Sequence, residues 1–298
     1  MVEHITLSNL QLSIGKRVRL HRLFYEYGPK NGTLMILPID QGVEHGPIDF
    51  LDNPPAEHPH FQFELALKGG FSAIACHIGL AQKYYKEYAG KIPLILKING
   101  RTNIPSNDNA FSPQDASVLD AVKLGADAVG YTLFVGSPRQ DDDILQLAKI
   151  REECDKYEMP LIIWAYPRGS AIDKKGGQDT LYAVDYAARQ AQELGADVIK
   201  VNFPIPVNEL CPEPYKKHTS GWDLSQMITK LVSSAGRSFL IFSGGEKIGE
   251  EELLARVKTA SEKGAVGVIF GRNLWQRPFD DAIILAHKIK EILMQYPR

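Results

Sequence analysis

A strand followed by a helix recurs along most of the chain, and this repetition constrains the fold more than any other feature. Short apolar segments rich in β-forming residues alternate with segments of helical period. The eight predicted strands are 33–40, 71–77, 93–99, 128–134, 160–166, 198–203, 238–244 and 267–273. The clearest amphipathic helical patterns lie at 112–124, 141–157, 180–194, 250–263 and 279–294.

The junctions between these segments also repeat. Leu-Gly-Ala occurs at 124–126 and at 194–196, each time where a helix stops and an apolar strand follows. Near-continuous apolar strands joined by helices are typical of a parallel sheet that is covered on both faces. A doubly wound sheet is the alternative, but no G-x-G-x-x-G turn follows the first strand. The pattern therefore predicts an α/β fold, a single (β/α)8 TIM barrel over residues 33–298 with an N-terminal extension over 1–32 that packs on it.

The predicted start of the helix at 112–124 rests on a local signal. Ser112 followed by Pro113 is typical of a helix N-cap with proline at the first helical position.

Composition excludes several classes of protein. The 298 residues suit one barrel, and the net charge of −2 offers no strong field for nucleic acid or an anionic membrane. The three cysteines have no C-x-x-C spacing, which indicates a reducing compartment without disulfides or a zinc site. Neither a signal pattern nor an apolar run of ~18 residues is found, so we predict a cytoplasmic protein with no membrane or nucleic-acid partner.

Lys200 is the most unusual residue of the predicted strands, because it interrupts the apolar run 196–203. Alternation places Lys200 on one face with Val198 and Asn202. If that face is the barrel interior, burial lowers the pKa of the amine and leaves part of it neutral and nucleophilic. The structural alternative is a strand-end lysine that pairs with a carboxylate or extends to solvent.

Other reactive side chains are predicted at the C-terminal ends of the strands, where the active sites of such barrels form. They are Asp40, Lys97, Trp164 and Tyr166. Three of them have a structural explanation on their own: Asp40 as a loop cap, Trp164 as a packed indole and Tyr166 as a satisfied core phenol. Together they predict a Schiff-base site with an amine, a hydroxyl acid/base and a carboxylate, in which either Lys97 or Lys200 is the amine.

Glycines after the last two strands predict a phosphate site. Backbone N–H groups in such loops approach an anion closely, and barrels commonly bind phosphate there. The predicted phosphate-binding residues are Ser243, Gly244, Gly245, Lys247, Gly271 and Arg272.

No metal site is predicted. The compact histidine groups are His58-Pro-His60 and Glu44-His45, and neither has the H-E-x-x-H frame of a helical metal site.

Five motifs resemble a known family. The segments are Ile-Asp-Gln-Gly-Val-Glu-His-Gly-Pro (39–47), Trp-Ala-Tyr-Pro-Arg-Gly (164–169), Ala-Asp-Val-Ile-Lys-Val (196–201), Ser-Gly-Gly-Glu-Lys (243–247) and Phe-Gly-Arg-Asn (270–273). They closely resemble the archaeal-type class I fructose-bisphosphate aldolases, which also occur in bacteria and belong to the DeoC/LacD-like aldolase superfamily. The resemblance runs from about residue 33 to the C-terminus.

The resemblance implies roles for the predicted residues. Lys200, rather than Lys97, forms the imine, and Tyr166 shuttles a proton. Trp164 and Asp40 line the substrate chain. The predicted substrate-binding set is completed by His45, which lies in the same motif as Asp40, and by Lys97.

The sequence departs from the family pattern at two places. Gln41 stands where the family often has histidine, and the segment after Lys200 differs from the usual one. Relatives have a carboxylate after strand six that assists imine chemistry, and Glu209 is the nearest candidate here.

The expected reaction is the reversible cleavage of fructose 1,6-bisphosphate, with no cofactor other than the imine on Lys200. Tyr166 is expected to take the C4 hydroxyl proton, as a phenolate or through a hydrogen bond. A homo-oligomer is also implied. The alternatives are a sister Schiff-base lyase or transferase, similar to aminodideoxyheptulosonate synthases or autoinducer thiolases, and a non-catalytic barrel that binds a sugar phosphate.

Overall fold

Eight parallel strands close into a barrel in the computed structural model, which describes residues 5–298. Each strand pairs with the next along the chain, and the first pairs with the last through Leu34 and Gly267. The strands are β1 (Leu34–Pro38), β2 (Ala73–His77), β3 (Leu94–Lys97), β4 (Ala128–Val135), β5 (Leu161–Pro167), β6 (Val198–Asn202), β7 (Phe239–Ser243) and β8 (Gly267–Ile269). The predicted (β/α)8 barrel is confirmed.

Helices surround the barrel, and short ones follow several strands at its C-terminal end. They are α1 (Ile14–His21), α2 (Gln41–Glu44), α3 (Pro59–Lys68), α4 (Ile78–Tyr84), α5 (Val118–Lys123), α6 (Gln140–Lys156), α7 (Ser170–Asp173), α8 (Leu181–Glu193), α9 (Glu213–Thr219), α10 (Leu224–Ala235), α11 (Glu250–Glu262), α12 (Arg272–Trp275) and α13 (Phe279–Met294). A π-helical turn at Arg22–Glu26 continues α1, and short 3-10 turns lie at Leu7–Asn9, Gly46–Phe50, Pro54–Glu57, Tyr85–Glu87 and Asn107–Asn109. Among the described residues, no helix is long and apolar enough to cross a membrane.

Two predicted boundaries are wrong. The last strand was expected over 267–273 but ends at Ile269, because the backbone turns at Gly271 and begins α12 at Arg272. The helix expected at 112–124 begins only at Val118. Its N-cap is Ser117, which forms a reciprocal capping box with Asp120.

Ser112 does not cap that helix because the segment that follows it is held differently. Gln114 forms an antiparallel bridge with Asn99, just beyond β3. The Ser112 carbonyl accepts a hydrogen bond from the Asn99 amide at 3.1 Å. This segment therefore crosses the mouth of the barrel instead of starting a helix.

Alternate residues of each strand face two separate cores. Val198 of β6 packs inside the barrel with Ile162 and Ile241, whereas Ile199 and Val201 pack between the sheet and the helices. The predicted orientation of this strand is confirmed, because Lys200 has the same parity as Val198.

The N-terminal segment packs against the end of the barrel where the strands begin. Leu20, Leu23 and Phe24 are buried in the interior cluster, and the Phe24 ring lies 4.8 Å from that of Phe239. Burying one such phenylalanine stabilises the fold by roughly 1.5–3 kcal/mol. Lys16 adds an ion pair with Asp197 at 3.1 Å. The opposite end of the barrel carries the polar side chains described below.

The division into an extension over 1–32 and a barrel over 33–298 stays a prediction, and its first four residues lie outside the described part of the chain.

Candidate active site

Lys200 lies at the centre of the polar end of the barrel. It is only 4% exposed, and its Nζ lies 5.2 Å from the ring centroid of Trp164 and 5.1 Å from that of Tyr166. The two aromatic side chains come from β5, whose Trp164 is in register with Lys200. Neighbouring strands of a parallel barrel thus bring these three side chains together on one interior face.

The surroundings of Lys200 favour its neutral form. Burial lowers the pKa of the amine to about 8 from its usual 10.5, because an ammonium loses hydration there. The carboxylates of Asp40 and Glu44 oppose this shift, while the positive charges of Lys97 and Arg272 add to it. Near neutral pH a useful fraction of the amine is therefore unprotonated and nucleophilic.

Lys97 occupies a comparable position on β3 but is held by hydrogen bonds. Its Nζ donates to the backbone oxygen of Asn99 at 2.7 Å and lies 3.2 Å from the Asn99 side-chain oxygen. Burial lowers its pKa as well. It lies 5.6 Å from the Trp164 ring, so one indole packs against both lysines.

Trp164 separates the polar site from the apolar interior below it. The side chain is 1% exposed, and its indole N–H finds no partner among the described residues. A Cβ on Gly130 of β4 would approach the indole to 2.7 Å. Glycine is required at that position because the ring fills the space of a side chain.

Tyr166 is a neutral phenol in this site. Burial raises its pKa well above 10, and the carboxylates of Glu44 and Asp40 raise it further. Arg168 stacks on the ring, with its guanidinium carbon 5.0 Å from the centroid. Of the two forms expected for Tyr166, a phenolate or a hydrogen-bonded hydroxyl, these surroundings favour the hydroxyl.

The segment after β1 supplies the carboxylates. Asp40 is 8% exposed and precedes the one-turn helix α2, which places Gln41 and Glu44 over the cavity. His45 ends that turn, and its Nδ1 lies 2.6 Å from a carboxylate oxygen of Asp49. This hydrogen bond orients the imidazole beside Glu44.

The glycines after β7 and β8 line the cavity as well, and the loop after β8 lies next to α2, where a Cβ on Gly271 would come within 2.7 Å of the Gln41 side-chain nitrogen. Gly245 has φ +64°, a conformation that glycine adopts without strain. Asn273 ties the two loops together, since its side-chain nitrogen donates to the Glu246 carbonyl at 3.0 Å and its oxygen accepts from Ile248 N. Arg272 adds positive charge at the same place.

The cavity has an empty volume of about 570 Å³, including its open mouth. It is lined by Pro38, Asp40, Gln41, Glu44, His45, Tyr166, Arg168, Lys200, Asn202, Ser243, Gly244, Gly245, Ile269, Gly271 and Arg272. Most of the predicted site residues are therefore brought together. Lys97 borders a smaller adjoining recess that shares Asp40 and Glu44 with the main cavity.

Two predicted residues lie elsewhere. Lys247 is exposed, and its Nζ donates to the Gln276 carbonyl at 3.1 Å instead of facing the cavity. Glu209 lies in an exposed turn after β6 and does not line the cavity. The cavity is instead lined by the carboxylates of Asp40 and Glu44, which are separated by one turn of helix.

Glu44 and Arg168 were missing from the predicted set, although both lie within the motifs quoted above. The signal that could have found them is their spacing. Each lies a few residues beyond a strand end that carries a predicted catalytic group, on the segment that turns back over the barrel.

Within residues 5–298, no cluster of three or more histidine, cysteine, aspartate or glutamate side chains could hold a metal ion.

Comparison with known proteins gives one consistent family. Residues 34–277 match the model of the DeoC/LacD family aldolases. A fructose-bisphosphate aldolase class 1 from Thermoproteus tenax is 38% identical over 265 residues, which is 89% of this chain and 90% of the relative. A fructose-bisphosphate aldolase/6-deoxy-5-ketofructose 1-phosphate synthase from Methanocaldococcus jannaschii is 30% identical over 282 residues. This alignment covers 91% of this chain and 85% of the relative.

A solved structure is similar as well. An archaeal fructose-1,6-bisphosphate aldolase, with its catalytic lysine covalently bound to the carbinolamine intermediate of the substrate, superimposes with a TM-score of 0.78 at 36% identity. The alignment covers 92% of this chain and 99% of that one. The chain therefore belongs to the DeoC/LacD family of aldolases.

Proposed function

We propose that the protein is a class I fructose-bisphosphate aldolase whose imine forms on Lys200. One observation carries the proposal: a buried lysine with a pKa of about 8 opens into a cavity that has an aromatic hydroxyl beside it and glycine loops facing it. The relatives named above are aldolases of fructose bisphosphate, which is a ketose that carries phosphate. A site with these features suits such a substrate.

The reaction begins with the neutral amine of Lys200. It attacks the C2 carbonyl of the open-chain substrate to give a carbinolamine, whose hydroxyl takes up a proton from solvent and leaves as water, so that a protonated imine remains. Asp40 and Glu44 stabilise the positive nitrogen, since both carboxylates act on Lys200 in the free site. The imine then serves as the electron sink for cleavage.

Cleavage breaks the C3–C4 bond. Its electron pair flows into the protonated imine and forms an enamine, while the C4 hydroxyl becomes the aldehyde of glyceraldehyde 3-phosphate. Because Tyr166 is neutral, we assign the C4 hydroxyl proton to the carboxylate pair Asp40 and Glu44. Tyr166 then protonates C3 of the enamine and is itself reprotonated by the carboxylate pair. Hydrolysis releases dihydroxyacetone phosphate and restores Lys200.

The phosphate on C1 is assigned to the loops after β7 and β8. Backbone N–H groups of Gly244, Gly245 and Gly271 and the guanidinium of Arg272 suit a dianion there. Trp164 lies beneath Lys200 as a packed surface, and His45 lies at the rim on the α2 side. Lys247 is left out of the phosphate site because its ammonium is bonded to Gln276.

The test is a coupled cleavage assay with fructose 1,6-bisphosphate, followed by borohydride trapping with dihydroxyacetone phosphate. We expect cleavage to persist in EDTA and the trapped label to lie on Lys200 by mass spectrometry. A label on Lys97, or loss of activity in EDTA that zinc restores, would contradict the mechanism. A panel of other ketose phosphates separates a sister lyase or transferase, and a barrel that binds these sugars without turnover would show no product.

We further propose a cytoplasmic homo-oligomer that serves glycolysis or gluconeogenesis. All three cysteines are free and buried, which suits a reducing compartment. Ile14 and Val18 are 81% and 54% exposed one turn apart on α1, and such an apolar pair suits contact with a second copy. Light scattering after size-exclusion chromatography tests this, and a monomer at micromolar concentration would contradict it.

A further inference from the structure

Three polar side chains line the recess that adjoins the main cavity, and the proposed reaction uses none of them. His77 ends β2, Ser112 lies in the segment that crosses the mouth of the barrel, and Thr132 belongs to β4. They are only 8%, 1% and 7% exposed. Buried polar side chains are nearly always hydrogen-bonded, so the partners of these three decide what the recess is for.

The three side chains find no hydrogen-bond partner in the part of the chain that the structure describes. The backbone of Ser112 and of Thr132 is bonded to Asn99, but their hydroxyl groups are not bonded. Neither ring nitrogen of His77 forms a hydrogen bond, and its Nδ1 lies only at ion-pair distance, 2.8 Å, from a carboxylate oxygen of Asp115. A buried polar group without a partner is costly, so three such groups around one recess indicate a polar ligand.

The recess suits a hydroxyl group better than a phosphate. Its empty volume is about 240 Å³, less than half that of the main cavity. The carboxylates of Asp40 and Glu44 line it and would repel an anion. Its two cations, Lys97 and Arg101, are already bonded to backbone oxygens. A hydroxyl both donates and accepts, so it can pair with His77 whichever ring nitrogen carries the hydrogen.

The proposed reaction indicates which hydroxyl of the sugar this is. The C1 phosphate is assigned to the loops after β7 and β8, C2 to Lys200, and the C4 hydroxyl to Asp40 and Glu44. These two carboxylates line both the cavity and the recess, so the next carbon of the chain, C5, lies at the recess. Its hydroxyl belongs to the half of the sugar that leaves as glyceraldehyde 3-phosphate.

We infer that the recess binds the C5 hydroxyl of the sugar and that His77 is a specificity-determining residue, which selects aldehydes with a hydroxyl next to the carbonyl. The inference rests on the proposed function, because the imine on Lys200 and the phosphate loops fix the direction of the substrate. Gly100 leaves room for the imidazole, since a Cβ there would approach the His77 Cε1 to 2.8 Å and its Nε2 to 3.2 Å.

The test is the condensation of dihydroxyacetone phosphate with glyceraldehyde 3-phosphate or with 3-phosphooxypropanal, which lacks only that hydroxyl. We expect kcat/KM of wild type to favour glyceraldehyde 3-phosphate about a hundredfold, because a site that hydrogen-bonds a hydroxyl rejects the analogue without it. His77→Leu should lower this ratio about tenfold, almost entirely through a slower reaction of glyceraldehyde 3-phosphate. Borohydride trapping with dihydroxyacetone phosphate should stay within about twofold of wild type, since that ketone has no C5.

Thr132→Val removes one hydroxyl of the recess with little change of shape, so it reports on the inference even if His77→Leu fails to fold. It should lower the ratio about threefold. His218→Leu is the matched control, because His218 is exposed on α9, and it should leave the ratio unchanged.

Two results would overturn the inference while normal trapping keeps the proposed function intact. One is a wild type that does not distinguish the two aldehydes. The other is an equal loss with both aldehydes in His77→Leu and in Thr132→Val, since that marks merely structural residues. If the wild type neither traps nor cleaves, the proposed function itself fails, and this inference with it.

Discussion

The barrel contains two buried lysines that look equivalent in the sequence and differ in the structure. Lys97 on β3 and Lys200 on β6 are 2% and 4% exposed, and both pack against the Trp164 ring. Lys97 donates hydrogen bonds to two oxygens of Asn99. In the described part of the chain, the Lys200 amine makes no such bond and instead faces the cavity beside Tyr166.

The difference separates a fixed cation from a reactive amine. Burial lowers the pKa of Lys97, the carboxylates of Asp40 and Glu44 oppose that shift, and the Lys97 ammonium acts as a positive charge on Lys200. That charge is one cause of the lowered pKa of Lys200. One lysine thus helps to keep the other neutral, and the four predictions below test this division of roles.

The largest effect is expected from removing the Lys200 amine. Lys200→Met should lower the rate of cleavage by roughly 10⁴-fold or more and abolish borohydride labelling, because no imine can form. The coupled assay and mass spectrometry measure both. A labelled peptide that contains Lys97 in this variant would show that the two lysines can exchange roles.

The pH dependence of wild type should report the lowered pKa of Lys200. Only about a tenth of an amine with a pKa of about 8 is neutral at pH 7, so imine formation should rise about tenfold between pH 7 and its plateau above pH 9. The initial rate of borohydride inactivation with dihydroxyacetone phosphate measures this. A rate that still rises steeply at pH 10 would mean that Lys200 keeps its ordinary pKa.

Lys97→Met should raise the pH midpoint of imine formation. Removing the neighbouring positive charge makes the Lys200 ammonium easier to keep, so its pKa should rise above 8 and trapping at pH 7 should fall about threefold. Asn99 retains its other bonds, including Thr132 N to its side-chain oxygen at 2.7 Å, so the mouth of the barrel should keep its shape. Trapping across pH 6–10 measures the shift, and a downward movement would contradict the role of Lys97.

Asp40→Asn should move the pH midpoint of imine formation the other way. Asp40 favours the ammonium of Lys200, so its neutral replacement should lower the pKa below 8 and raise trapping at pH 7 about threefold. Cleavage should fall in the same variant, because the carboxylate pair loses a member. An unchanged midpoint, measured in the same series as Lys97→Met, would show that Asp40 does not act on the amine.

Errors in the sequence prediction concentrate at the mouth of the barrel. The strands follow from the alternation of side chains between two faces, and this alternation alone predicts the face on which Lys200 lies. Contacts between segments far apart in sequence decide three features that the prediction missed: the end of β8, the start of α5 and the direction of the Lys247 side chain. Lys247, for instance, donates to the Gln276 carbonyl just after α12, a helix whose first two residues were predicted as the end of a strand.

The sequence by itself determined the barrel, the strand face that carries Lys200 and the glycine loops, because these follow from local periods and from residue types with few conformational choices. It also held the motifs that mark the aldolase family. Only the tertiary structure decided which of two lysines faces the cavity, that Tyr166 is a neutral phenol, and that Glu44 rather than Glu209 supplies a carboxylate. Those properties depend on burial and on the distances between charges from different strands, and neither is defined until the barrel closes.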